Sequence, residues 1–355
     1  MRFLKDYFYI IALLSLASNL AAAKLQPKIV THPLANTILT QFSDSYGRKS
    51  KKYIAPLIIK SVDQQALIDF CSKKNNAPDV YGTSRRLSLT DLSPCHDEGI
   101  QDFIELKMGS GALITLASPQ LNLKNISHHD LYKIVTRFDY KEGNPTPNST
   151  KVWGDVSNKI PFAADPIRTF VPNKASTLRD IFDDRILLAG CQTLPEITKI
   201  KSEKPKVYQE LCLASRSDSV VTEANLSDKV SAPSVLIATE KGMITFAPSS
   251  ALNQPEVVKN LVAINGFKPT LESIKDEAYP LAAPIYLYVK ISSLKTSPGL
   301  RSFLKYIYSR QNKDHSELDS SGYIPLAPEE MSEQFHLVLK GKPNYQLGDP
   351  QRSEK

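Results

Sequence analysis

The side chains best suited to chemistry in this sequence are hydroxyl and arginine groups in turns that follow predicted strands. Short hydroxyl donors, the backbone N–H groups of a helix start and the bidentate charge of arginine are the groups that hold tetrahedral oxyanions. Any one of these residues is also ordinary turn chemistry, but their recurrence after several strands favours an anion site. The candidates are Thr31, Ser84, Arg85, Ser110, Ser176, Thr177 and Arg179.

The stretch from Phe170 to Phe182 carries the most complete local pattern of this kind. Pro172 favours an extended entry, Ser176 suits a helix N-cap, and an amphipathic run begins near Arg179. A helix start built in this way presents free N–H groups and the positive end of the helix dipole, which suit an anion. Most capped helices bind nothing, so the rest of the chain decides between a plain cap and a binding site.

Catalytic and metal-binding patterns are weak throughout the chain. Gly109-Ser-Gly111 lacks the upstream glycine of a nucleophile elbow, so Ser110 is interpreted as a loop or ligand contact. His128-His129-Asp130 stands at a predicted helix start, where capping or surface exposure explains it better than a metal site. The sequence contains no glycine-rich nucleotide-binding motif. We therefore predict a protein that is not an enzyme and that needs neither a cofactor nor a metal.

The first residues of the chain have the order of a secretory signal peptide. Arg2 and Lys5 precede an apolar run that ends at Ala21-x-Ala23. A basic start, an apolar run and a small-residue ending are typical of a cleaved signal, here residues 1–23. A retained membrane anchor is the alternative, but the apolar run is short for a bilayer span. We therefore expect export to the periplasm, with Lys24 as the mature N-terminus.

Length and composition predict a protein of two lobes. The chain of 355 residues is longer than single hydrophobic cores usually grow, and its 41% hydrophobic residues allow a core of good size. Its net charge of +7 is spread along the chain without a dense basic block interleaved with aromatic residues, which argues against nucleic-acid binding. Residues 341–355 are rich in Lys, Gly, Pro and Gln, and we predict that they are disordered.

The four cysteines form two local pairs, Cys71 with Cys95 and Cys191 with Cys212. In an exported chain the simplest interpretation is one disulfide for each pair, one in each half of the chain. Zinc ligation by these cysteines is the more specific alternative, but the sequence has no C-x-x-C spacing and His96 is the only adjacent imidazole.

The elements that would position the candidate residues alternate between strands and helices. Strand, turn and helix patterns recur over residues 28–46 and 55–71, which predicts parallel strands covered by helices. Ligands of such sheets bind at the carboxyl ends of strands, where the candidate residues fall. Gly109-Ser-Gly111 is predicted to be a flexible join between two strands and a first crossing between lobes. We expect the chain to cross back after Phe246.

Several short motifs follow one another along nearly all of the mature chain, from Lys28 to Leu326. They are Phe70-Cys71, Pro78-Asp79 followed by Ser84-Arg85, Trp153-Gly-Asp155, Ser176-Thr-Leu-Arg-Asp-Ile-Phe182, Cys191, Tyr279-Pro280-Leu-Ala, Pro284-Ile-Tyr-Leu-Tyr-Val289 and Gly322-Tyr-Ile-Pro-Leu326. In this order they resemble the periplasmic phosphate-binding protein of phosphate ABC transporters, a type II periplasmic binding protein, in its longer, cysteine-containing bacterial form.

This resemblance implies an α/β chain with a two-lobed fold, in which each lobe is a mixed sheet flanked by helices and the lobes are joined by crossing strands. Lobe I would comprise residues 24–115 and 248–340, and lobe II residues 116–247. The implied function is that of a monomeric, exported solute-binding protein that closes on phosphate or a related oxyanion between its lobes. It would pass the anion to an ABC-transporter permease in the inner membrane. The implied contacts are Ser84, Arg85, Ser110, Ser176, Thr177 and Arg179.

The sequence departs from the family pattern in the loops that would hold phosphate. Thr31-His-Pro-Leu34 replaces a Gly-Ser-Ser-Thr loop, Ser110 replaces an aspartate, and Thr177-Leu178 replaces a Gly-Thr pair. A carboxylate that accepts a hydrogen bond from protonated phosphate excludes fully ionised sulfate, and a serine lacks that filter. An interaction or surface protein that kept the fold but lost phosphate binding is the alternative function.

Overall fold

The structure is a computed structural model that describes residues 26–61, 63–74, 76–141, 144–157, 162–174, 176–224, 226, 242–310, 317–320 and 322–346. The predicted signal peptide, residues 1–23, lies outside these ranges. Within them, no helix combines the length and the apolar character that a membrane span requires.

Helices and strands alternate along the described chain, and several helices carry a proline in their first turn, where its missing N–H leaves no hydrogen bond unmade. The helices are α1 (Pro33–Lys49), α2 (Asp63–Cys71), α3 (Ser93–Asp97), α4 (His128–Val135), α5 (Trp153–Val156), α6 (Thr177–Phe182), which continues as a π-helical segment (Asp183–Leu188) into α7 (Ala189–Gln192), α8 (Pro195–Glu203), α9 (Pro205–Cys212), α10 (Pro255–Lys259), α11 (Leu271–Lys275), α12 (Ile291–Thr296), α13 (Pro298–Arg310), α14 (Glu317–Ser320) and α15 (Pro328–Lys340). The strands are β1 (Lys28–Thr31), β2 (Leu57–Lys60), β3 (Val80–Thr83), β4 (Asp102–Ala117), β5 (Asn125–Ile126), β6 (Phe138–Lys141), β7 (Asn144–Pro147), β8 (Arg168–Pro172), β9 (Val221–Ala224), β10 (Met243–Pro248), β11 (Leu261–Ile264), β12 (Ala282–Lys290), β13 (Ile324–Pro325) and β14 (Tyr345–Gln346).

The chain divides into two compact units, of which unit 1 comprises Met1–Met108, Tyr286–Glu317 and Leu326–Lys355. In unit 1, β1 lies between β2 and β3 and is parallel to both, while β12 is antiparallel to β3. The helices α1 and α2 connect these parallel strands, as the alternating pattern predicted. Phe70 of α2 packs on Tyr81 of β3 with ring centroids 6.0 Å apart, in a core of buried aromatic side chains.

Unit 2 comprises Gly109–Ile285 and Leu318–Pro325. Its sheet is mixed, because β10 is antiparallel to β4 but parallel to β8, which in turn is parallel to β9. Two further strands, β11 and β13, are antiparallel to β4, and β6 and β7 form a separate hairpin. Both units are thus mixed sheets with helices, which confirms the predicted α/β class.

The chain passes between the units at four points: within β4, within β12, within α14 and at the end of β13. The first passage falls at Met108 and Gly109, where a crossing was predicted, but the predicted flexible join is wrong because β4 is one uninterrupted strand. The return was expected after Phe246, whereas β10 and β11 still pair with β4 inside unit 2. Residues 109–115, 248–285 and 318–325 belong to unit 2 in this division, whereas the predicted lobe I included them.

Both predicted disulfides form, and each lies within one unit. Cys71 bonds Cys95 in unit 1, and Cys191 bonds Cys212 in unit 2. All four residues are buried in the hydrophobic clusters of their units. The predicted pairing is confirmed, and no cysteine of the described ranges is left over for zinc.

The C-terminal segment differs from its prediction in part. Residues 341–346 are described and include β14, in which Tyr345 pairs with Phe103 of β4. Tyr345 is buried and its ring lies edge-on to that of Tyr288, so this part of the predicted disordered tail is packed in unit 1. Residues 347–355 lie outside the described ranges.

Candidate anion-binding site

In unit 1 the candidate residues lie at the carboxyl ends of two neighbouring parallel strands. Thr31 ends β1 opposite Gly82 of β3, and the His32 N–H donates to the Gly82 carbonyl at 2.8 Å. Ser84 follows β3 directly and is buried. The parallel register thus brings Thr31 and Ser84 to the same edge of the sheet, as predicted.

The start of α1 beside these residues is saturated by its own chain. His32 is the N-cap, and its Nδ1 accepts from the Leu34 N–H at 3.4 Å while its carbonyl accepts from the Ala35 N–H at 3.1 Å. Pro33 has no N–H to offer. The first turn therefore presents few donors to an anion, which is the structural consequence of Thr31-His-Pro-Leu34 in this loop.

Arg85 is held by a carboxylate of its own loop. Its guanidinium forms a two-pronged ion pair with Asp91, with Nη1–Oδ2 and Nη2–Oδ1 distances of 2.7 and 2.8 Å. Burial alone would raise the pKa of Asp91, but hydrogen bonds from Arg85 and Ser88 outweigh it and lower that pKa to about 2. The Asp91 carboxylate therefore stays ionised at neutral pH. Arg85 holds its own loop together through this pair, in addition to any contact with a ligand.

In unit 2 the helix start predicted from the sequence is present. Ser176 is the N-cap of α6, and its hydroxyl oxygen accepts from the Leu178 N–H at 3.2 Å. Because the hydroxyl oxygen is the acceptor in this cap, the Ser176 hydroxyl proton can still be donated to an acceptor such as an anion. Thr177 is the first residue of the helix, and its side chain lies outside the described part of the structure.

Arg179 is buried and satisfied inside unit 2. Its Nε donates to Asp183 Oδ1 at 2.7 Å and its Nη1 to Glu223 Oε1 at 2.7 Å. Further donation goes to the Pro172 carbonyl and the Ser215 hydroxyl, both at 3.3 Å. Only 5% of the residue is exposed. Arg179 thus ties α6 to the end of β8 and to β9, and two carboxylates neutralise its charge.

Asp183 is the unusual titratable group of this network. Burial raises its pKa to about 6, although the Arg179 guanidinium opposes the rise, and the charges of Asp180 and Glu223 add to it. The native state therefore holds a proton on Asp183 more tightly than the unfolded chain does. This contribution to stability is present below about pH 4 and is lost as the pH rises towards 6.

We expect Asp183→Asn to remove a pH dependence of stability between about pH 4 and pH 6. The wild type should lose up to about 2 kcal/mol of unfolding free energy across this window, a figure reduced for the partial exposure of the carboxyl. Urea unfolding at several pH values measures the slope. Asp91→Asn is the control, because its lowered pKa acts below about pH 4. Parallel curves for wild type and Asp183→Asn would contradict the assignment.

Ser110 occupies a different environment from the other candidates. It lies within β4, pairs with Ile324 of β13 and is 2% exposed. The adjacent Gly111 packs against Tyr323, since a Cβ there would stand 2.6 Å from the Tyr323 ring. Burial raises the pKa of Tyr323, as does the charge of Asp180 in α6. The β4–β13 pair and the start of α6 are therefore neighbours within unit 2.

The structure brings the predicted residues together in two groups. Thr31, Ser84 and Arg85 share one sheet edge in unit 1, while Ser176, Thr177 and Arg179 share the start of α6 in unit 2. The carboxylates that pair with the arginines were not among the residues predicted from the sequence. Helical spacing could have revealed Asp183, four residues after Arg179, and Asp91 lies in the same loop as Arg85. Glu223 is distant in sequence and gave no signal.

Among the described residues, no three His, Cys, Asp or Glu side chains come together in a way that could hold a metal ion. His128 begins α4 behind its N-cap Ser127, whose hydroxyl oxygen accepts from the Asp130 N–H at 2.9 Å. His128 Nε2 is 2.6 Å from the Arg185 carbonyl. The trio therefore forms the first turn of α4, and the N-cap is the preceding Ser127.

Known proteins resemble this chain in sequence over most of its length. A family model described as a PBP superfamily domain matches residues 19–311. Protein SphX of Synechocystis sp. is 24% identical over 267 residues, which cover 74% of this chain and 66% of SphX. The phosphate-binding protein PstS of Staphylococcus saprophyticus is 21% identical over 265 residues, which cover 73% of this chain and 69% of that protein. The chain thus spans about two thirds of the length of these relatives.

Two solved structures share the architecture. A possible phosphate binding protein from Planctomyces limnophilus superposes with a TM-score of 0.66 at 18% identity, over 89% of this chain and 98% of that structure. PstS from Borrelia burgdorferi superposes with a TM-score of 0.52 at 16% identity, over 85% of this chain and 98% of that structure. These likenesses concern the fold and agree with the two units described above. Because the family model spans most of the chain, the protein belongs to the PBP superfamily, as its resemblance to type II periplasmic binding proteins predicted.

Proposed function

We propose that this protein is a noncatalytic solute-binding protein that binds phosphate or a related oxyanion. It is exported to the periplasm through the signal peptide of residues 1–23, acts as a monomer and delivers the anion to an ABC-transporter permease in the inner membrane. The observation that carries the proposal is the family match over residues 19–311, together with relatives that are phosphate-binding proteins by name.

The contacts that we propose are hydroxyl and backbone donors. Ser84 in unit 1, and Ser110, Ser176 and Thr177 in unit 2, offer short donors of the kind that oxyanions need. The positive end of the α6 dipole adds to these hydroxyl donors, while the Leu178 and Arg179 N–H groups already donate to Ser176. Arg85 and Arg179 act chiefly as positioning residues, because carboxylates of their own units already pair with both.

Titration of the purified protein with phosphate in a calorimeter tests this function. We expect one site per chain, and we expect sulfate to compete within about tenfold, because the buried Ser110 cannot reject an anion that lacks a proton. Mixing that gives no heat and no change in the thermal transition at millimolar phosphate would contradict phosphate binding. It would favour the alternative, a surface protein that kept the fold.

Ser176→Gly tests the proposed contact while sparing the helix cap. Glycine is tolerated at an N-cap at a cost of a few tenths of a kcal/mol, whereas a lost hydrogen bond to a charged ligand costs about 2 kcal/mol. We therefore expect phosphate affinity to fall by about tenfold or more. The matched control is Ser127→Gly at the N-cap of α4 in the same unit, which should leave affinity unchanged. Equal affinities for wild type and Ser176→Gly would remove Ser176 from the site.

A further inference from the structure

Three lysines and three large apolar side chains form one surface patch on unit 2. We call it the lysine–apolar patch; its residues are Lys124, Val258, Lys259, Phe267, Lys268 and Leu271. All of them except Phe267 line a groove of about 510 Å³, together with Leu252, Leu261, Pro269 and Thr270. Phe267 directly precedes the groove residue Lys268. None of the patch residues belongs to the proposed anion contacts.

The lysines of the patch have no partners in the described part of the chain. Lys124, Lys259 and Lys268 form no ion pair or side-chain hydrogen bond there. No carboxylate lines the groove among the described residues, and Glu256 and Glu272 lie on α10 and α11 outside its lining. The three ammonium groups are therefore not in direct ion pairs with carboxylates of the described residues.

The apolar side chains of the patch are unusually exposed for their size. Val258, Phe267 and Leu271 are 49%, 49% and 54% exposed. Scattered apolar side chains are normal on protein surfaces, but large ones grouped among unpaired cations mark an interaction surface. This grouping combines apolar contact with attraction to negative charge.

Short-range hydrogen bonds fix the backbone that carries Phe267, Lys268 and Leu271. Phe267 follows a two-residue turn in which Asn265 and Gly266 have φ values of 52° and 84°, and its N–H and carbonyl both bond Ile264 at 3.0 Å. Leu271 begins α11 behind the Thr270–Ser273 capping box. The Ser273 hydroxyl also donates to the Lys268 carbonyl at 2.7 Å. The patch is therefore presented in one preset arrangement, with little ordering left to occur on binding.

We infer that the lysine–apolar patch docks unit 2 onto an anionic membrane surface. Half-exposed apolar side chains insert at the boundary between headgroups and acyl chains, while flexible lysines remain with the lipid phosphates. Lysine acts as a mobile point charge suited to a diffuse negative surface, whereas directional pairing with the carboxylates of a protein partner would favour arginine. This docking is independent of the ligand and adds a membrane contact to the proposed function.

Vesicle flotation with the purified protein tests the inference. Vesicles of phosphatidylcholine containing 40% phosphatidylglycerol should bind the protein at low salt, and vesicles of phosphatidylcholine alone should bind at least tenfold less. Raising the salt to about 0.5 M should reduce binding, because the Debye length then falls well below 10 Å. Equal binding to both vesicles, or binding to neither, would overturn the inference.

Charge-matched and hydropathy-matched variants locate the contact. Replacing Lys124, Lys259 and Lys268 by Glu should weaken vesicle binding at least tenfold, whereas the same change at Lys199, Lys204 and Lys206, which are exposed on α8, α9 and their connection, should have little effect. F267S/L271S should weaken binding at high salt, and V207S/L213S, at other exposed apolar positions of unit 2, should not.

Equal losses in the patch variants and their controls would show a general charge effect and would overturn the inference. Binding to an acidic peptide but not to vesicles would assign the patch to a protein partner and would overturn it as well. Phosphate titration of the Lys→Glu patch variant separates this proposal from the proposed function. The phosphate affinity of this variant should match that of the wild type within about twofold. The salt dependence of vesicle binding is measured on the wild type, so it tests the inference even where a variant fails to fold.

Discussion

Arg179→Ala is expected to lower the free energy of unfolding by about 3 kcal/mol at pH 7.5. The substitution leaves Asp183 and Glu223 close together without their shared cation, and removing one partner of a buried ion pair typically costs 3–5 kcal/mol. We expect the lower end because both carboxylates keep about 30% of their surface exposed. Urea unfolding followed by circular dichroism measures the change.

The triple variant R179M/D183N/E223Q separates charge from packing. It removes all three charges while keeping side chains of similar size, so it should recover most of the stability lost in Arg179→Ala. Lys206→Ala, an exposed lysine of the same unit, should change stability by less than about 0.5 kcal/mol. A loss below about 1 kcal/mol in Arg179→Ala would mean that the guanidinium is not the internal cation of unit 2.

Removing either disulfide should destabilise its own unit by about 3 kcal/mol. Cys191 and Cys212 are 21 residues apart, and Cys71 and Cys95 are 24 apart. Cross-links that close loops of this length lower the conformational entropy of the unfolded chain, which stabilises the native state by about 3 kcal/mol. All four sulfurs belong to buried residues, so a small packing loss adds to the effect. The variants are C71A/C95A and C191A/C212A, compared by urea unfolding without reductant.

The single tryptophan tells the two disulfide variants apart. Trp153 is fully buried in unit 2, so its fluorescence follows the unfolding of that unit. C191A/C212A should shift the Trp153 transition to lower urea, and C71A/C95A should act chiefly on the transition seen by circular dichroism. Losses under about 1 kcal/mol for both pairs would contradict a stabilising role for these bonds.

Local patterns predicted the elements that position the site. The order of β1, α1, β2, α2 and β3 follows from alternating apolar runs and turn residues, and the cap at Ser176 follows from a small hydroxyl before an amphipathic run. These features depend on residues that are neighbours in sequence, so they can be predicted without the tertiary structure. The anion-site hypothesis was therefore available from the sequence at the level of strands, turns and caps.

Long-range contacts account for what the sequence did not predict. Gly109 and Gly111 resemble a flexible join, but a Cβ at Gly109 would lie 2.8 Å from the Ile324 carbonyl oxygen, so these glycines allow β13 to approach β4. The neutralisation of Arg179 depends on Glu223, 44 residues away. Neither β13 nor Glu223 can be predicted from local spacing. Because of these contacts, β4 is a continuous strand and not a hinge, and Arg179 is a positioning residue and not a ligand contact.

Backbone amide NMR of the protein titrated with phosphate tests whether these hydroxyl and helix-start residues bind an oxyanion. We expect saturable shifts at the N–H groups of Ser84, Ser110, Ser176 and Thr177. The Arg179 side-chain Nε–H signal should persist, because Asp183 retains its hydrogen bond. Sulfate should move the same amides. Shifts confined to other parts of the chain, or spectra unchanged at millimolar phosphate, would contradict the claim that these hydroxyl and helix-start donors bind an oxyanion.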